Sequence, residues 1–265
     1  MPASRWRRSV SLMTVVAGLA ALCAVGQASD QGPATPNALT AAERSDGWAL
    51  LFDGKTLTGW RGYNPRLDVT KGWSVVDGAL KNSKANGRPN GAGGDIVTTA
   101  QFTDFDFRFE WRVSRAGNSG IKYFVHERIG EPGARMYPGD DGVSAVGHEY
   151  QVLDDDEHPD AKNGPIRQAG SLYSLFPPNE AKRLAPVGQY NSARLLVQGS
   201  HVEHWLNGAK VVEYDLGSPA LRQAIAASKY KDIPRFGTKF STRILIQDHG
   251  DEVWFRNLKI RQLKP

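Results

Sequence analysis

One stretch near the middle of the sequence alternates polar and apolar side chains in a way that could serve chemistry. Within residues 147–156, Glu149 and Gln151 alternate with Tyr150 and Val152. Successive side chains of a strand point to opposite faces, so the apolar pair would face a core and the polar pair would share the other face. A carboxylate can transfer protons, and an amide can bind oxygen atoms or N–H groups. The same alternation is also typical of an antiparallel strand whose outer face is simply solvated.

Two further stretches show the same alternation with different polar groups, and Tyr173 could add an aromatic ring. A cleft that binds a sugar needs many hydrogen-bond donors and acceptors and an aromatic ring for the apolar sugar face. Three such strands side by side would therefore suit a carbohydrate. The polar residues of the two further stretches are Asn118, Lys122, Arg243, Gln247 and His249.

Several histidines and aspartates near the first stretch offer an alternative, a divalent cation. Their spacing is not diagnostic of any metal site, and a run of aspartates at a strand end is usually a solvated turn. We therefore predict no metal and no cofactor, with a divalent cation as the alternative. The residues concerned are His148, His158, Asp154, Asp155 and Asp156.

Some classes of function are excluded by what the sequence lacks. It contains no G-x-S-x-G motif, no P-loop and no dinucleotide fingerprint. Its single cysteine, Cys23, lies in the N-terminal segment, which excludes thiol catalysis in the remainder. The formal net charge of +5 falls to +2 when the three arginines of residues 1–28 are removed, and no basic run indicates nucleic acid binding.

The N-terminus has the organisation of a secretory signal. Three arginines precede a mostly apolar stretch that is short for a membrane span, and small residues follow at positions 26 and 28. We predict a signal peptide at 1–28, a flexible linker at 29–45 and one domain at 46–265, without a transmembrane segment in the mature chain. The protein would be periplasmic or secreted, and a lipid anchor at Cys23 is a poorer match.

Short alternating segments with frequent turn glycines predict an all-β sandwich or jelly roll. The clearest strand is 105–113, with aromatic residues on one face and charges on the other. The dipeptide Asn207-Gly208 predicts a hairpin over 202–214. Ser218 and Pro219 begin one short helix near 218–230. We further predict strands at 170–175 and 241–250, and loops at 84–94 and 127–146.

Five motifs, in order, resemble those of the 3-keto-disaccharide hydrolase family. The resemblance covers residues 48–263, nearly all of the mature chain. It implies a concanavalin A-like β-sandwich whose concave sheet holds the site. The motifs are Leu51-Phe52-Asp53-Gly54-Lys55-Thr56-Leu57-Thr58-Gly59-Trp60, Gly117-Asn118-Ser119-Gly120-Ile121, Glu149-Tyr150-Gln151-Val152-Leu153-Asp154, His204-Trp205-Leu206-Asn207-Gly208 and residues 247–257.

The resemblance also implies an activity, the cleavage of glycosides already oxidised to a ketone at C3. Such a ketone acidifies the C2 proton, so a base can remove it, the enolate expels the C1 substituent, and water adds to the product. Glu149 and His249 would be base and acid, in either order. The alternatives are a carbohydrate-binding module without catalysis and a conventional two-carboxylate glycosidase with Asp154 as second carboxylate. Ligand-binding residues would be Asn118, Lys122, Gln151, Asp154, Tyr173, Arg243 and Gln247.

Overall fold

The computed structural model describes Met1 and residues 35–84, 93–127 and 145–264. The chain divides into the units Met1–Pro33 and Ala34–Pro265, and all elements below belong to the second unit. The predicted signal peptide after Met1 lies outside the described residues, as does most of each predicted loop at 84–94 and 127–146. None of the described helices is long and apolar enough to cross a membrane.

The larger of two antiparallel sheets has the strand order β11-β10-β9-β6-β13-β4-β3, with β1 paired to β13. Its strands are β1 (Trp48–Leu50), β3 (Trp73–Val76), β4 (Ala79–Asn82), β6 (Phe105–Val113), β9 (Asn191–Gln198), β10 (His201–Leu206), β11 (Ala209–Asp215) and β13 (Val253–Gln262).

The smaller sheet has the order β2-β5-β12-β7-β8. Its strands are β2 (Trp60–Gly62), β5 (Ile96–Thr98), β7 (Asn118–His126), β8 (Val146–Leu153) and β12 (Leu245–Ile246). The described part of the unit also contains two α-helices, α1 (Ala41–Ser45) and α2 (Pro219–Ala226), together with short 3₁₀ turns. The predicted all-β sandwich and its helix near 218–230 are confirmed.

The core lies between the sheets because alternating strands from both send their apolar faces inward. In β6, Phe105 and Phe107 are fully buried and belong to the main apolar cluster, as the alternation predicts. The opposite face is less exposed than expected, since Asp106 is also fully buried. Arg194 donates to it at 2.8 and 3.1 Å, so the charge is paired rather than solvated.

Two other predicted strands differ in the structure. Residues 170–175 form only isolated bridges at Leu172, because Gly170 and Ser174 have positive φ angles and interrupt an extended backbone. Within 241–250, regular pairing is limited to β12, because the N–H of Asp248 donates to the side-chain Oδ1 of Asp95 at 2.9 Å instead of to a neighbouring strand. The predicted Asn207-Gly208 hairpin is confirmed, with φ angles of 48° and 82°.

The predicted linker contains ordered structure near its end. Thr40 caps α1 through a capping box with Glu43. Asn37 donates through its side-chain amide to the carbonyl of Gly78 at 2.7 Å, and its N–H donates to Asn257 at 2.6 Å. Residues 37–45 are therefore ordered, and Asn37 connects them to the domain by hydrogen bonds.

A chain of buried polar groups crosses the sandwich interior. His204 Nδ1 lies 3.1 Å from the carbonyl of Gly170, so this nitrogen carries the proton and Nε2 accepts from Tyr123 at 2.7 Å. Tyr214 then donates to Tyr123 at 2.8 Å, and His148 Nδ1 donates to Tyr214 at 2.6 Å. His148 Nε2 is left buried with no partner in the described part of the chain.

This chain predicts a pH-dependent stability. Burial lowers the pKa of His148 to about 3 and that of His204 to about 4, so both stay neutral when folded. In the unfolded chain both imidazoles bind a proton once the pH falls below the ordinary histidine pKa of about 6.5. The stability that the two neutral histidines contribute is therefore present above about pH 6.5 and is lost as the pH falls. The destabilisation caused by His148→Gln should therefore shrink by about 2 kcal/mol between pH 7 and pH 5.

Urea unfolding of both proteins at the two pH values measures this difference. Comparing variant with parent cancels the opposing contribution of Asp95, whose carboxyl pKa burial raises to about 6. A difference that stays constant with pH would show that His148 does not remain neutral in the fold.

Candidate active site

The floor of a surface cavity is the outer face of the β7–β8 pair. In this register Lys122 lies opposite Glu149, and Gly120 lies opposite Gln151. Tyr150 points the other way into the core, as the alternation predicts. The side chains of Lys122 and Glu149 are 8% and 6% exposed, and Nζ lies 3.9 Å from Oε2. The two strands thus place a carboxylate and an ammonium group side by side, largely away from solvent.

The cavity has a volume of about 160 Å³ and is open to solvent on one side. Most of the predicted site residues line it, and two of them, Asp154 and Arg243, do not. The predicted residues that line it are Asn118, Lys122, Glu149, Gln151, Tyr173, Gln247 and His249.

Gly120 makes room for the Glu149 carboxylate. A Cβ atom at position 120 would overlap Glu149 Oε1 and would lie 2.8 Å from its Cδ. Real Cβ atoms do not approach other heavy atoms so closely, so a side chain here would displace the carboxylate. The glycine therefore permits the position that the Glu149 carboxylate takes on the cavity floor.

Lys122 interacts with more than Glu149. Its Nζ donates to the carbonyl of Ala145 at 3.0 Å. The Asp95 carboxyl also lies near this ammonium group. Burial raises the pKa of the Asp95 carboxyl to about 6, and the positive charge of Lys122 opposes this rise. The ammonium group is therefore held in place from several directions.

The turn that carries His249 is anchored through the fully buried Asp248. Its carboxylate accepts hydrogen bonds from the N–H groups of Gly94 at 2.9 Å, Gly93 at 3.3 Å and Gly250 at 3.0 Å. Burial nevertheless raises the pKa of the Asp248 carboxyl. These bonds hold the turn against the 93–95 segment.

His249 differs from Glu149 in its access to water. Its side chain is 42% exposed, and Nδ1 lies 3.5 Å from Asp251 Oδ2. The rings of His249 and His158 meet edge to face with centroids 5.7 Å apart. The imidazole is therefore at the mouth of the cavity, where it can exchange protons with solvent, while Glu149 lies on the floor.

Tyr173 reaches the cavity from the segment that follows β8. Its backbone N–H donates to the carbonyl of Glu149 at 3.0 Å, and its hydroxyl donates to Asp160 Oδ2 at 2.7 Å. Burial, Glu149 and Asp160 together raise the pKa of this hydroxyl. Arg167 and Lys229 lie 4.8 and 5.1 Å from the ring centroid. Cationic groups already contact this ring, which leaves less of it for a sugar face than we predict.

Asp154 and Arg243 have other partners. The Asp154 carboxylate accepts from three backbone N–H groups, the shortest bond being 2.7 Å from Ala116. Arg243 Nε donates to Glu127 at 2.8 Å, and Nη1 donates to the carbonyl of Thr98 at 3.0 Å. The structure therefore gives both side chains bonds within the protein and does not bring them to the cavity.

The predicted cation ligands are not gathered together. His148 lies in the core, Asp154 caps a turn, and Asp155 pairs with Lys182. A different group of possible cation ligands does lie together. Among the described residues, His158, His249 and Asp251 offer ligand atoms within 4.8 Å of one another.

Comparison with known proteins shows the family of the chain. The family described as 3-keto-alpha-glucoside-1,2-lyase-like domain matches residues 47–261. The chain belongs to this family. A 3-keto-disaccharide hydrolase of Bacteroides thetaiotaomicron is 37% identical to this family member over 238 residues, which are 83% of this chain and 79% of the relative. The prediction that the chain is an enzyme of the hydrolase or lyase class is confirmed.

Two crystal structures from Parabacteroides distasonis resemble this member of the 1,2-lyase-like family. One, described as a candidate glycosyl hydrolase, is 31% identical with a TM-score of 0.70 and covers 87% of this chain and all of its own. The other, with the same description, is 26% identical with a TM-score of 0.56, covering 82% of this chain and 99% of its own.

Two polar side chains that line the cavity of this 1,2-lyase-like domain are absent from the site predicted from the sequence. Lys229 and Tyr230 follow α2 and line the cavity. The helix predicted near 218–230 would include both residues, whereas α2 ends at Ala226, and nothing in the sequence indicates where this segment packs. His158, whose side chain contacts Asn118 and His249, was considered only as a cation ligand.

Proposed function

We propose that this protein cleaves glycosides that carry a ketone at C3 of the sugar, by elimination and hydration. The observation that carries the proposal is the buried Glu149 carboxylate, the one carboxylate among the described lining residues, beside the ammonium group of Lys122 on a floor of amides. The 3-keto-disaccharide hydrolase of Bacteroides thetaiotaomicron supports this substrate class.

Glu149 is the base in this proposal. The C3 ketone acidifies the adjacent C2–H bond, and the carboxylate takes that proton while the electron pair moves onto the C3 oxygen as an enolate. A base must reach its proton in a fixed geometry, and the missing side chain at Gly120 leaves the space that the Glu149 carboxylate occupies.

Lys122 and the cavity amides stabilise the enolate. Negative charge develops on the C3 oxygen only as the proton leaves, so donors aimed at that oxygen bind the transition state better than the ground state. Losing one such donor in other enzymes costs on the order of 100-fold to 1,000-fold in rate. Lys122 Nζ is well placed for this, since it lies 3.9 Å from the carboxylate that takes the proton.

His249 is the acid. When the enolate re-forms its ketone, the C1–O bond breaks and the leaving oxygen takes a proton from the imidazolium. The product is an unsaturated 3-keto sugar with a C1–C2 double bond. Water then adds its hydroxyl to C1, and the protonated Glu149 returns a proton to C2, so the sum is hydrolysis. Exposure of His249 lets it recover its proton from solvent.

The cavity is less suited to a conventional glycosidase. That mechanism needs two carboxyl groups flanking the scissile bond. Among the lining residues that the structure describes, only Glu149 has a carboxylate, and the Asp154 carboxylate is bonded to backbone N–H groups elsewhere.

The test is incubation of the purified protein with a 3-keto-glucoside, such as 3-keto-trehalose, and with the unoxidised parent sugar. We expect 3-keto-glucose from the first and no cleavage of the second, because without the ketone the C2 proton is not acidic. Cleavage of the parent sugar alone would contradict the proposal. Binding of both sugars without any cleavage would instead indicate a carbohydrate-binding module.

A further inference from the structure

His158 has one nitrogen committed to the backbone. As the N-cap of the 3₁₀ helix Pro159–Asn163, its Nδ1 accepts from the N–H of Asp160 at 3.1 Å. A backbone N–H can only donate, so Nδ1 carries no proton, and a neutral imidazole must then carry its proton on Nε2. Partial burial and the neighbouring His249 lower the pKa of His158, which favours this neutral form.

Two side-chain amides continue from Nε2 toward the cavity. As placed, Asn118 Nδ2 lies 3.4 Å from His158 Nε2, and Gln151 Nε2 donates to Asn118 Oδ1 at 3.3 Å. The oxygen and nitrogen of an amide have nearly the same shape, so their neighbours decide which atom faces which partner. With a proton on Nε2, this placement sets two N–H donors against each other, so both amides must be turned over. Asn118 then presents its oxygen to His158 and its NH₂ group to Gln151, whose oxygen accepts.

The orientation of Gln151 follows from this order. Gln151 is 1% exposed, and one atom of its amide has no hydrogen-bond partner in the described part of the chain. We propose that His158, through Asn118, turns Gln151 so that this unpartnered atom is an N–H donor available to a ligand in the cavity. His158 is thus a positioning residue that does not itself touch the reacting atoms.

An N–H donor at this place selects for an acceptor on the ligand. A ketone oxygen and an enolate oxygen can only accept, and the adjacent floor already holds the Lys122 ammonium group. A second donor on the same floor would stabilise the negative charge that develops on the C3 oxygen during C2 deprotonation. The link to catalysis rests on the proposed function, whereas the tautomer and the amide order do not.

The same tautomer opposes a shared cation at His158, His249 and Asp251. One nitrogen of His158 accepts from the backbone N–H of Asp160, and the other carries the imidazole proton. A cation would need one of these nitrogens as a bare lone pair directed at it.

Nitrogen-15 NMR of the histidine side chains tests the tautomer directly. Comparison with the His158→Asn variant assigns the resonances of His158 in the parent protein. At pH 7 we expect a protonated Nε2 and a bare Nδ1, unchanged when Zn²⁺ is added. A protonated Nδ1, an imidazolium ion, or loss of the Nε2 proton on adding Zn²⁺ would overturn the inference. This result does not depend on any enzymatic activity.

Two substitutions then separate the positioning role from the capping role. His158→Asn keeps an acceptor near Nδ1 and can still cap the 3₁₀ helix, but it removes the Nε2–H donor. His158→Gln can place an N–H group near Nε2 and gives up the cap. On a 3-keto-glucoside we expect His158→Asn to lower kcat by about 10-fold with little change in KM, and His158→Gln to recover most of it.

The unfolding midpoint of each variant provides the control. If His158 is a positioning residue, kcat should depend on whether the variant keeps the N–H donor near Nε2. The unfolding midpoint should instead depend on whether the variant keeps the cap. Equal losses of kcat in both variants, or a loss that follows the unfolding midpoint, would show that His158 only caps the helix. If the parent protein proves inactive on 3-keto-glucosides, the proposed function fails and the NMR result still decides the amide order.

Discussion

Glu149→Gln is expected to lower kcat on a 3-keto-glucoside by about 100-fold or more while substrate binding persists. Glutamine keeps the shape of the side chain beside Gly120, but an amide cannot take the C2 proton. Steady-state kinetics give kcat, and calorimetric titration of the variant gives the affinity. Retention of full turnover would show that Glu149 is not the base.

A matched control for this substitution lies on the outer hairpin. Glu213 on β11 pairs with Lys210, is 55% exposed and does not line the cavity. Glu213→Gln makes the same chemical change and should leave kcat and KM near those of the parent. A similar loss in both variants would indicate a general effect of the altered charge.

Gly120→Ala is expected to cause a comparable loss, about 100-fold in kcat, although the substitution replaces no ionisable residue. The new Cβ would occupy the position of Glu149 Oε1 and lie 2.9 Å from Cγ, so the carboxylate must rotate away from the C2 proton. The backbone at Gly120 lies within β7 and has no positive φ angle, so alanine fits the strand itself. Kinetics and a crystal structure of the variant measure the two effects.

The shorter Glu149→Asp side chain provides an internal control. In the parent protein, Glu149→Asp should lower kcat because its carboxylate no longer reaches the proton. In the Gly120→Ala background the carboxylate is already displaced, so the same substitution should cost little more. Residues in contact show this lack of additivity. Fully additive losses would show that Gly120 does not act through Glu149.

The floor of the site could be predicted because strand alternation follows from local geometry. Tyr150 had to face the core, and Glu149 and Gln151 therefore had to face away. The pairing of Glu149 with Lys122 could not be predicted, since it depends on the register between β7 and β8. A shift of one residue would have changed every partner across these strands.

The residues that sequence reasoning misplaced depend on partners distant in the chain. Arg243 alternates with core residues as a site residue would, yet it pairs with Glu127. His148 is a candidate ligand by type, but the sandwich interior supplies Tyr214 as its partner. Tyr173 was predicted to lie in a regular strand, whereas the left-handed backbone at Gly170 and Ser174 folds its segment into a turn. No local pattern encodes these contacts.

The turn that carries Tyr173 also covers part of the backbone edge of β8. As the last strand of its sheet, β8 would otherwise expose backbone N–H and C=O groups along one edge. Instead, the N–H of Gly170 donates to Gln151 at 2.8 Å, and the N–H of Gln151 donates to Ser171 at 3.3 Å. A strand of another chain could pair with an open edge beside the ligand site. The segment after β8 occupies that edge, and because it is not a regular strand it presents no new edge of its own.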